Sequence, residues 1–212
     1  MRIGKLMSEA RRGRPIQYDP EVALQRARDV FWLTGFAASS LDALSAATGM
    51  NRPSLFGAFG NKEELYIATL ERYRDESVDA LRDMLSGAQS LRVELAEVYE
   101  KSTDFYLASN EAARGCLLIG TASVEAPHRP AVQRVLAESL GAFNAVIEAR
   151  MQKAINDGEI SSRTDAGALA SVASAVLHSL AVRARAGATR HELDQLSKTA
   201  VELLCGPIDP GE

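Results

Sequence analysis

The sequence predicts an all-α protein in which a small N-terminal three-helix domain precedes a larger helical domain. The 212 residues are 46% hydrophobic but only 6% aromatic, a composition that favours close-packed helices over a sheet. Apolar residues recur at helical spacing in successive segments separated by glycine or proline. The stretch from Ser39 to Lys62 places a glycine turn between two short helical patterns, which is the outline of a helix-turn-helix.

The first helix is predicted from Pro20 to Thr34. Asp19 is a suitable N-terminal cap, and proline is tolerated in the first turn because an amide there has no helical partner. Apolar residues follow at helical spacing, and Gly35 ends the pattern. Trp32 and Phe36 are expected to fill a small core shared with the helix-turn-helix.

The second helix is predicted to begin at Ser39 or Ser40, where a hydroxyl can accept from the first amides, and to run to Thr48. Gly49 can adopt the left-handed conformation that closes a helix, so the chain can reverse within about four residues. Asn51 is a suitable cap for a third helix, and Pro53 lies in the first turn of that helix.

The third helix has a narrow apolar edge, formed by Leu55 and Phe59. A short helix that buries only one narrow edge is typical of the recognition helix of a helix-turn-helix. The exposed face and the N-terminal amides of a recognition helix lie in the DNA major groove. The alternative is an ordinary helical hairpin inside an all-helical domain, because helix-glycine-helix patterns are common.

The candidate DNA contacts lie in this hairpin and in the basic residues ahead of it. Helix starts offer free amides and a positive dipole end to phosphate oxygens. Arg52 can reach a guanine edge or a phosphate, and Ser54 can hydrogen-bond to either. The candidate DNA-binding residues are Arg11, Arg12, Arg14, Ser40, Asn51, Arg52, Pro53, Ser54, Phe56, Gly57, Ala58 and Lys62.

Charge is distributed unevenly along the chain. Residues 1–62 hold nine Lys or Arg and five Asp or Glu, a net charge of +4, whereas the remaining residues hold fifteen against twenty-three, a net charge of −8. Residues 1–18 are polar and basic, which predicts a disordered arm that lies along phosphates or enters the minor groove when DNA is present. Positive charge is therefore concentrated where DNA contact is predicted.

Two segments of the first third resemble the TetR/AcrR family of bacterial transcriptional regulators. The run TGMNRPSLFGAFGNKEELY is similar to the DNA-binding signature of that family, and GRPIQYDPEVALQRARDVFWLTGF to its first helix. The later phrase RGCLLIGTASVEAP is similar to a segment that many members carry.

This resemblance implies a homodimer that binds a palindromic operator in double-stranded DNA. It also implies release from the operator by a small-molecule effector of unknown identity. A repressor is predicted, because binding over a promoter can block the polymerase without further contacts. By the same resemblance, position 56 usually carries a tyrosine whose hydroxyl reaches a phosphate, and Phe56 lacks that hydroxyl.

The rest of the chain is predicted to be helical. Asn61 and Glu64 have capping-box spacing, and no breaker follows until Gly87, which predicts a rod of about 40 Å. Further helices are predicted from Leu91 to Asn110, Cys116 to Glu125 and Pro130 to Asn156, with two more at the C-terminal end. The predicted division is an arm (1–18), a helix-turn-helix domain (19–62), a ligand-binding and dimerisation domain (63–206) and a tail (207–212).

The family resemblance places an effector pocket and a dimer interface in the larger domain. The candidate ligand-binding residues, each also a candidate for plain core, are Met84, Leu85, Tyr99, Phe105, Tyr106, Cys116, Leu118 and Phe143. Small residues flank the apolar stripes of the last two helices, which suits close pairing about a two-fold axis, with burial inside one chain as the alternative. The candidate dimer-interface residues are Leu169, Val172, Val176, Leu180, Leu193, Leu196, Ala200 and Leu203.

Two other functions are compatible with the sequence. Cys116 follows Arg114 at a predicted helix start, where positive charge and the helix dipole would lower its pKa and suit a redox or electrophile sensor. A small buried residue is the alternative for Cys116. A helical adaptor that does not bind DNA is the second function.

The sequence does not predict an enzyme or a membrane protein. It contains no nucleophile motif, phosphate-binding loop or metal-ligand spacing, so no catalytic residue, cofactor or metal site is predicted. Neither a secretion signal nor a membrane-spanning segment is expected, and two cysteines without a disulfide framework fit a cytoplasmic protein.

Overall fold

The computed structural model describes residues 19–108 and 113–206, and the regular structure within these two ranges is entirely helical, which confirms the predicted fold class. The α-helices are α1 (Pro20–Ala38), α2 (Leu41–Thr48), α3 (Arg52–Phe59), α4 (Lys62–Met84), α5 (Leu91–Leu107), α6 (Ser123–Glu125), α7 (Pro130–Asn156), α8 (Ala166–Arg185) and α9 (Arg190–Cys205). A π-helical turn, Leu118–Ala122, precedes α6, and a 3-10 turn, Ala126–His128, follows it. Below, the head is α1–α3 and the body is the part from α5 to α9, with α4 joining them.

Local caps set the starts of α1 and α4, as predicted. The Asp19 carboxylate accepts from the backbone N–H of Glu21 at 2.9 Å. At α4, the Asn61 side chain accepts from the backbone N–H of Glu64 at 3.0 Å, and the Glu64 carboxylate accepts from the backbone N–H of Asn61 at 2.7 Å. This reciprocal pair satisfies amides that have no partner inside the helix.

Helix α1 is interrupted at Gly35, whose φ of 75° and ψ of 170° are not helical. The predicted end of the helix is therefore a kink, after which one further turn reaches Ala38. The kink directs Phe36 into the head core, where its ring centroid lies 5.1 Å from that of Tyr66 on α4. A side chain at position 35 would be strained whatever the space around it, because φ is positive.

Helix α4 connects the head to the body. Its 23 residues span about 35 Å, close to the predicted rod length. Its first half packs against α1, and it also packs against α7 of the body. Leu65 and Leu70 are buried towards its start, and Leu81 is buried towards its end. A tilt of this helix would therefore move the head relative to the body.

A buried ion pair joins α5 to α7 in the body, close to the C-terminal end of α4. The Nε atom of Arg150 on α7 donates to the Glu94 carboxylate on α5 at 2.5 Å, and the two side chains are 2% and 3% exposed. Glu94 also accepts from the backbone N–H of Gly87 at 2.8 Å. Glu159, after α7, completes the network with a contact of 3.0 Å to Arg150.

Helix α8 is the one helix in the described ranges whose length and composition would allow it to cross a membrane. That test is weak, because core helices of proteins outside membranes also pass it. Here α8 packs against α7, α5 and α9, with Ala170, Ala173 and Leu180 buried at those contacts.

Two further predicted helix ends are wrong. Helix α5 ends at Leu107, three residues before the predicted end at Asn110. The short helix expected from Cys116 to Glu125 begins as the π-helical turn, and the helical backbone passes through Pro127 to His128 instead of stopping before the proline. Proline is tolerated there because it lies in the first positions of the 3-10 turn, where its missing N–H has no helical partner.

Candidate DNA interface and ligand cavity

The α2–α3 hairpin is closed by the residues predicted to close it. The Ser40 hydroxyl accepts from the backbone N–H of Ala43 at 3.0 Å, and Gly49 has the left-handed φ of 71° and ψ of 13°. The Asn51 side chain accepts from the backbone N–H of Ser54 at 2.9 Å. These three local devices orient α3 on the outside of the head.

Helix α3 exposes almost all of its side chains. Leu55 is its single buried residue, and Phe59 is half-buried. The predicted contact residues on the helix are all exposed, and they are Arg52, Pro53, Ser54, Phe56, Gly57 and Ala58. Phe56 is 40% exposed, which is unusual for so large an apolar side chain in a small domain. The geometry therefore leaves one continuous face of α3 free for a partner.

Arg52 is held by an acidic neighbour on the same surface. Its guanidinium lies 2.6 Å from the Asp42 carboxylate on α2, and the two side chains are 52% and 80% exposed. An exposed pair of this kind contributes about 0–1 kcal/mol, so Arg52 can exchange Asp42 for another acceptor at small cost.

The remaining predicted DNA contacts have different surroundings. Ser40 and Asn51 are exposed, whereas Lys62 is half-buried with its ammonium 4.5 Å from the centroid of the Phe36 ring. Burial and the neighbouring Arg129 lower the pKa of Lys62. Three further predicted contacts lie outside the described residues, and they are Arg11, Arg12 and Arg14.

Trp32 joins the head to the body instead of filling a core shared with the hairpin. Its indole N–H donates to the backbone carbonyl of Arg114 at 3.0 Å, and its ring centroid lies 5.2 Å from Tyr73 and 5.5 Å from Phe105. The expectation for Trp32 was therefore wrong. A buried indole needs a hydrogen-bond acceptor, and the turn before the π-helix supplies one.

Three ion pairs in the described residues also cross from α1 to the rest of the chain, and one of them joins Glu21 to Arg72 on α4 at 2.5 Å. Arg28 donates to the Glu76 carboxylate on α4 at 3.1 Å, and Glu76 also accepts from Arg72 at 2.7 Å. Asp29 lies 3.3 Å from the guanidinium of Arg114. These contacts attach α1 both to α4 and to the turn before the π-helix.

A cavity of about 530 Å³, called the body cavity below, lies between α4, α5, α7, α8 and the π-helical turn, with one residue of α1 at its wall. Its size falls within the range of small-molecule sites, about 300–1,000 Å³. Of the eight predicted ligand-binding residues, the six that line it are Met84, Phe105, Tyr106, Cys116, Leu118 and Phe143. The structure thus brings most of the predicted wall together.

Two predicted ligand-binding residues do not line this cavity. Tyr99 is fully buried, and its hydroxyl donates to the backbone carbonyl of Ala173 at 3.2 Å. Leu85 is buried just past the end of α4 and lies outside the wall. Neither side chain lines this cavity, because an apolar position on a helix stripe can face any neighbour and packing selects which one.

The sequence reasoning missed several wall residues. They include Tyr73 on α4, and Ser174, Leu177 and His178 on α8, whose apolar stripe is predicted to pair in a dimer or to be buried. Arg28 is the most unexpected, because it is the one described head residue on the wall. Helical spacing places Ser174, Leu177 and His178 on one face of α8. Polar and apolar side chains together on one face of a helix are the sequence signal that could have identified these wall residues.

Cys116 is a buried thiol in the cavity wall. Burial raises its pKa, although the hydroxyl of Tyr73, 3.5 Å from the sulfur, and nearby backbone N–H groups act in the opposite direction. The predicted lowering of the pKa by positive charge and the helix dipole is therefore wrong. Because the thiolate is the reactive form, the raised pKa disfavours the sensor hypothesis.

The two C-terminal helices divide the predicted dimer residues into two groups. Leu180, Leu193 and Ala200 are buried within one chain, which agrees with the alternative given for these stripes, burial inside one chain. Val172 is 55% exposed and Leu203 is 79% exposed, and the half-buried members are Leu169, Val176 and Leu196. Each helix therefore has one edge in the core and an apolar edge on the surface.

In the described part of the chain, no group of three or more His, Cys, Asp or Glu side chains is arranged to hold a metal ion. The fold and the exposed face of α3 define the class of a helix-turn-helix transcriptional regulator, with a DNA-binding head on a helical body. Comparison with known proteins identifies the family. The model described as "Bacterial regulatory proteins, tetR family" matches residues 23–69, and the one described as "Tetracyclin repressor-like, C-terminal domain" matches residues 92–200. The chain belongs to the TetR family, and it is a DNA-binding transcriptional regulator.

The similar proteins are themselves transcriptional regulators. The repressor ComR of Escherichia coli (strain K12) is 29% identical over 197 residues, which cover 91% of each chain. The repressor BdcR of the same organism is 28% identical over 190 residues, covering 89% of this chain and 88% of BdcR. The solved structure of a CifR cysteine mutant with 26-bp double-strand operator DNA is 35% identical, with a TM-score of 0.81, and covers 89% of this chain and 98% of CifR.

Proposed function

We propose that the protein is a homodimeric repressor that binds a palindromic operator through α3 and is released by a small molecule bound in the body cavity. The open face of α3 carries the proposal. A helix that buries one residue and exposes Arg52, Ser54 and Phe56 has a surface suited to the major groove. Phosphate contacts from Ser40 and from the amides at the start of α3 would set the register.

The sign of regulation follows from the relatives. ComR and BdcR are named as repressors, and both align along most of this chain. The named activator FasR of Mycolicibacterium smegmatis aligns over 37% of this chain. Repression is therefore better supported than activation. A repressor needs only to occupy the promoter, and it needs no further contacts with the polymerase.

The position of Arg28 supports a route from the cavity to the DNA. This α1 residue belongs to the head, lines the cavity and is bonded to Glu76 on α4. A ligand that repositions either side chain would alter the docking of α1 on α4. The ligand must bind the released state more tightly than the DNA-bound state, because equal affinity for both would shift nothing.

The exposed edges of α8 and α9 are the proposed dimer face. Val172 and Leu203 are large exposed apolar side chains on these helices, and the small Ala175 beside them allows a close approach of two helices. The proposed boundary between the DNA-binding and the ligand-binding and dimerisation domains lies at the start of α4, near residue 62. The protein of this proposal is cytoplasmic and has no enzymatic activity.

The direct test is selection of tight binders from a randomised duplex library at near-physiological salt. We expect an inverted repeat whose half-sites are spaced for successive major grooves on one face of the DNA, about 34 Å apart. Arg52→Ala is expected to lose the consensus, whereas Arg82→Ala, an exposed residue near the end of α4, should retain it. Recovery of no consensus by the wild-type protein would contradict sequence-specific binding.

The dimer is tested separately by sedimentation equilibrium. Leu203→Glu is expected to raise the dimer dissociation constant by at least about tenfold, because it would bury a carboxylate in an apolar interface. Lys198→Glu serves as the matched control, because Lys198 lies on the same helix near the core-facing residue Val201 and is exposed. A monodisperse dimer of the Leu203→Glu protein with unchanged affinity would exclude this face.

A further inference from the structure

We infer that the body cavity takes an uncharged, largely apolar ligand with a hydrogen-bonding group. The inference rests on the proposed function, in which this cavity is the effector site. It adds the chemical class of the effector, which follows from the charges and hydrogen-bonding groups of the wall.

The charged residues of the described wall are already paired or open to solvent. Arg28 is bonded to Glu76 at 3.1 Å, and Lys101 lies 2.6 Å from Glu97 one turn away. Asp83 is exposed at the rim. The charge of Arg28 is already opposed by Glu76 at 3.1 Å and by Asp29 at 3.8 Å. The buried Nε atom of Arg28 has no hydrogen-bond partner in the described residues, so it can donate to an oxygen of a neutral ligand. A ligand cation would have to displace Arg28 from Glu76.

The deeper wall consists of neutral polar groups and apolar side chains. Burial raises the pKa of Tyr73 and Tyr106, so both phenols stay protonated at neutral pH. Burial lowers the pKa of His178, which favours the neutral imidazole, and raises the pKa of Cys116. These groups can donate to or accept from a carbonyl, hydroxyl or ether, but they cannot neutralise a full charge.

The same wall disfavours an ion on energetic grounds. Moving a charged group from water into a mostly apolar cavity has a large desolvation cost unless a partner neutralises it. A neutral molecule loses little hydration and gains apolar contact with Leu118, Phe143 and Leu177. We therefore expect a neutral ligand to bind at least about tenfold more tightly than a charged analogue of the same shape.

The test uses N-phenyl-1-naphthylamine and its 8-sulfonate, two fluorescent probes that share one skeleton and differ by an anionic group. Binding is followed by probe fluorescence and by energy transfer from Trp32, the single tryptophan of the chain. The Trp32 ring lies 5.5 Å from the wall residue Phe105, so a probe in the cavity is within transfer distance. The neutral probe is expected to bind at least about tenfold more tightly than the sulfonate.

A second series tests charge of both signs without the bulk of a sulfonate. Decanol, decanoate and decylammonium compete with the bound neutral probe at pH 7. Decanol is expected to displace it at a concentration at least about tenfold lower than either ion requires. Equal or tighter binding of decanoate would overturn the inference in favour of an anionic ligand held by Arg28, and tighter binding of decylammonium in favour of a cation held by Glu76.

A wall variant shows whether the probe occupies this cavity. Ser174→Leu puts a larger side chain into the wall and is expected to weaken binding of the neutral probe at least about tenfold. Ser171→Leu makes the same change one turn away at an exposed position of α8, and should leave binding unchanged. If Ser174→Leu folds, as judged by its thermal transition, yet binds the probe like wild type, the inference fails.

DNA binding is measured on the same samples with the selected duplex. A protein that binds this duplex but no neutral probe refutes the inference about the ligand and leaves the assignment of the head intact. A protein that binds the neutral probe selectively but selects no duplex supports the inference and refutes the proposed repressor. The two failures are therefore distinguishable.

Discussion

The pair between Asp42 and Arg52 yields the sharpest prediction about DNA binding. The two side chains are 2.6 Å apart on the surface that would face the major groove. Arg52 must turn from the Asp42 carboxylate to a phosphate or a guanine edge if it contacts DNA. Asp42→Asn removes the competing acceptor and a negative charge near the phosphates, so it is expected to tighten operator binding.

The magnitude follows from the exposure of the pair. Both side chains are more than half exposed, so their mutual attraction is worth up to about 1 kcal/mol in each subunit, which corresponds to at most about a fivefold gain in affinity per subunit and about 30-fold for the dimer. Arg52→Ala removes the contact itself and is expected to cost about 1–3 kcal/mol, or about 5- to 150-fold, per half-site. Neither change should alter folding stability by more than about 1 kcal/mol, because the pair is exposed.

The assay is fluorescence anisotropy of a labelled operator duplex, titrated at several salt concentrations. If Arg52 contacts a phosphate, Arg52→Ala should reduce the magnitude of the slope of log affinity against log salt by about 0.9 per subunit, or about 1.8 for the dimer, and if it reads a base, the slope should stay unchanged while specificity relaxes. Asp79→Asn is the control for Asp42→Asn, because Asp79 forms a similar exposed pair with Arg82 on α4, away from α3.

A result with the opposite sign would refute this reasoning. Weaker operator binding by Asp42→Asn would mean that Asp42 orients Arg52 in the complex instead of competing with DNA for it. Equal tightening by Asp79→Asn would mean that net charge, and not this pair, sets the affinity.

Three further predictions concern single side chains. Phe56→Tyr adds a hydroxyl to an exposed ring of α3 and should tighten operator binding about 2- to 10-fold through a phosphate hydrogen bond; unchanged anisotropy titrations would place the ring away from the backbone. Arg150→Met leaves Glu94 as an unpaired buried charge and should lower the free energy of unfolding in urea by about 3–5 kcal/mol, most of which the double change with Glu94→Leu should restore; equal losses in both would locate the cost elsewhere. Burial raises the pKa of Cys116, so its alkylation by iodoacetamide at pH 8 should be at least about tenfold slower than in the unfolded chain, and the contribution of this thiol to stability should decline as pH rises above its ordinary pKa of 9.0; rapid alkylation of the folded protein would contradict the burial.

The parts of the fold that were predicted correctly depend on local chemistry. Ser40, Gly49 and Asn51 each act through a backbone group within a few residues, and the structure places all three as predicted. The bounds of α7, Pro130–Asn156, were also predicted, because a proline opens that helix and Asp157 with Gly158 ends it. Such signals are visible in a short window of sequence.

The candidate site was predicted less completely, because its residues meet through tertiary contacts. Helical spacing identified Phe105, Tyr106 and Phe143 as apolar positions, but the same spacing also selected Tyr99, which faces α8 and not the cavity. The cavity wall also includes Arg28, which lies 45 positions before Tyr73 in the chain. No local pattern relates residues at that separation.

The pKa of Cys116 illustrates the same limit for electrostatics. Arg114 and a helix start suggest a lowered pKa, because both favour a thiolate over short distances. The folded chain buries the thiol against Tyr73, and desolvation then outweighs the local terms. The sequence therefore predicts a lowered pKa for Cys116, whereas the surroundings of the thiol in the folded chain raise it.

The amino-acid sequence was sufficient for the fold class, the helix-turn-helix and its exposed recognition face, because caps, turns and apolar periodicity act over a few residues. Tertiary structure alone decided that Trp32 joins the head to the body, that Arg28 reaches the cavity, and that Leu203 faces solvent while Leu193 does not. The spacing of apolar residues in the sequence identifies the apolar side of a helix. Which neighbour each of these side chains contacts depends on how the helices pack. Those contacts form between residues far apart in the chain, and they determine the site.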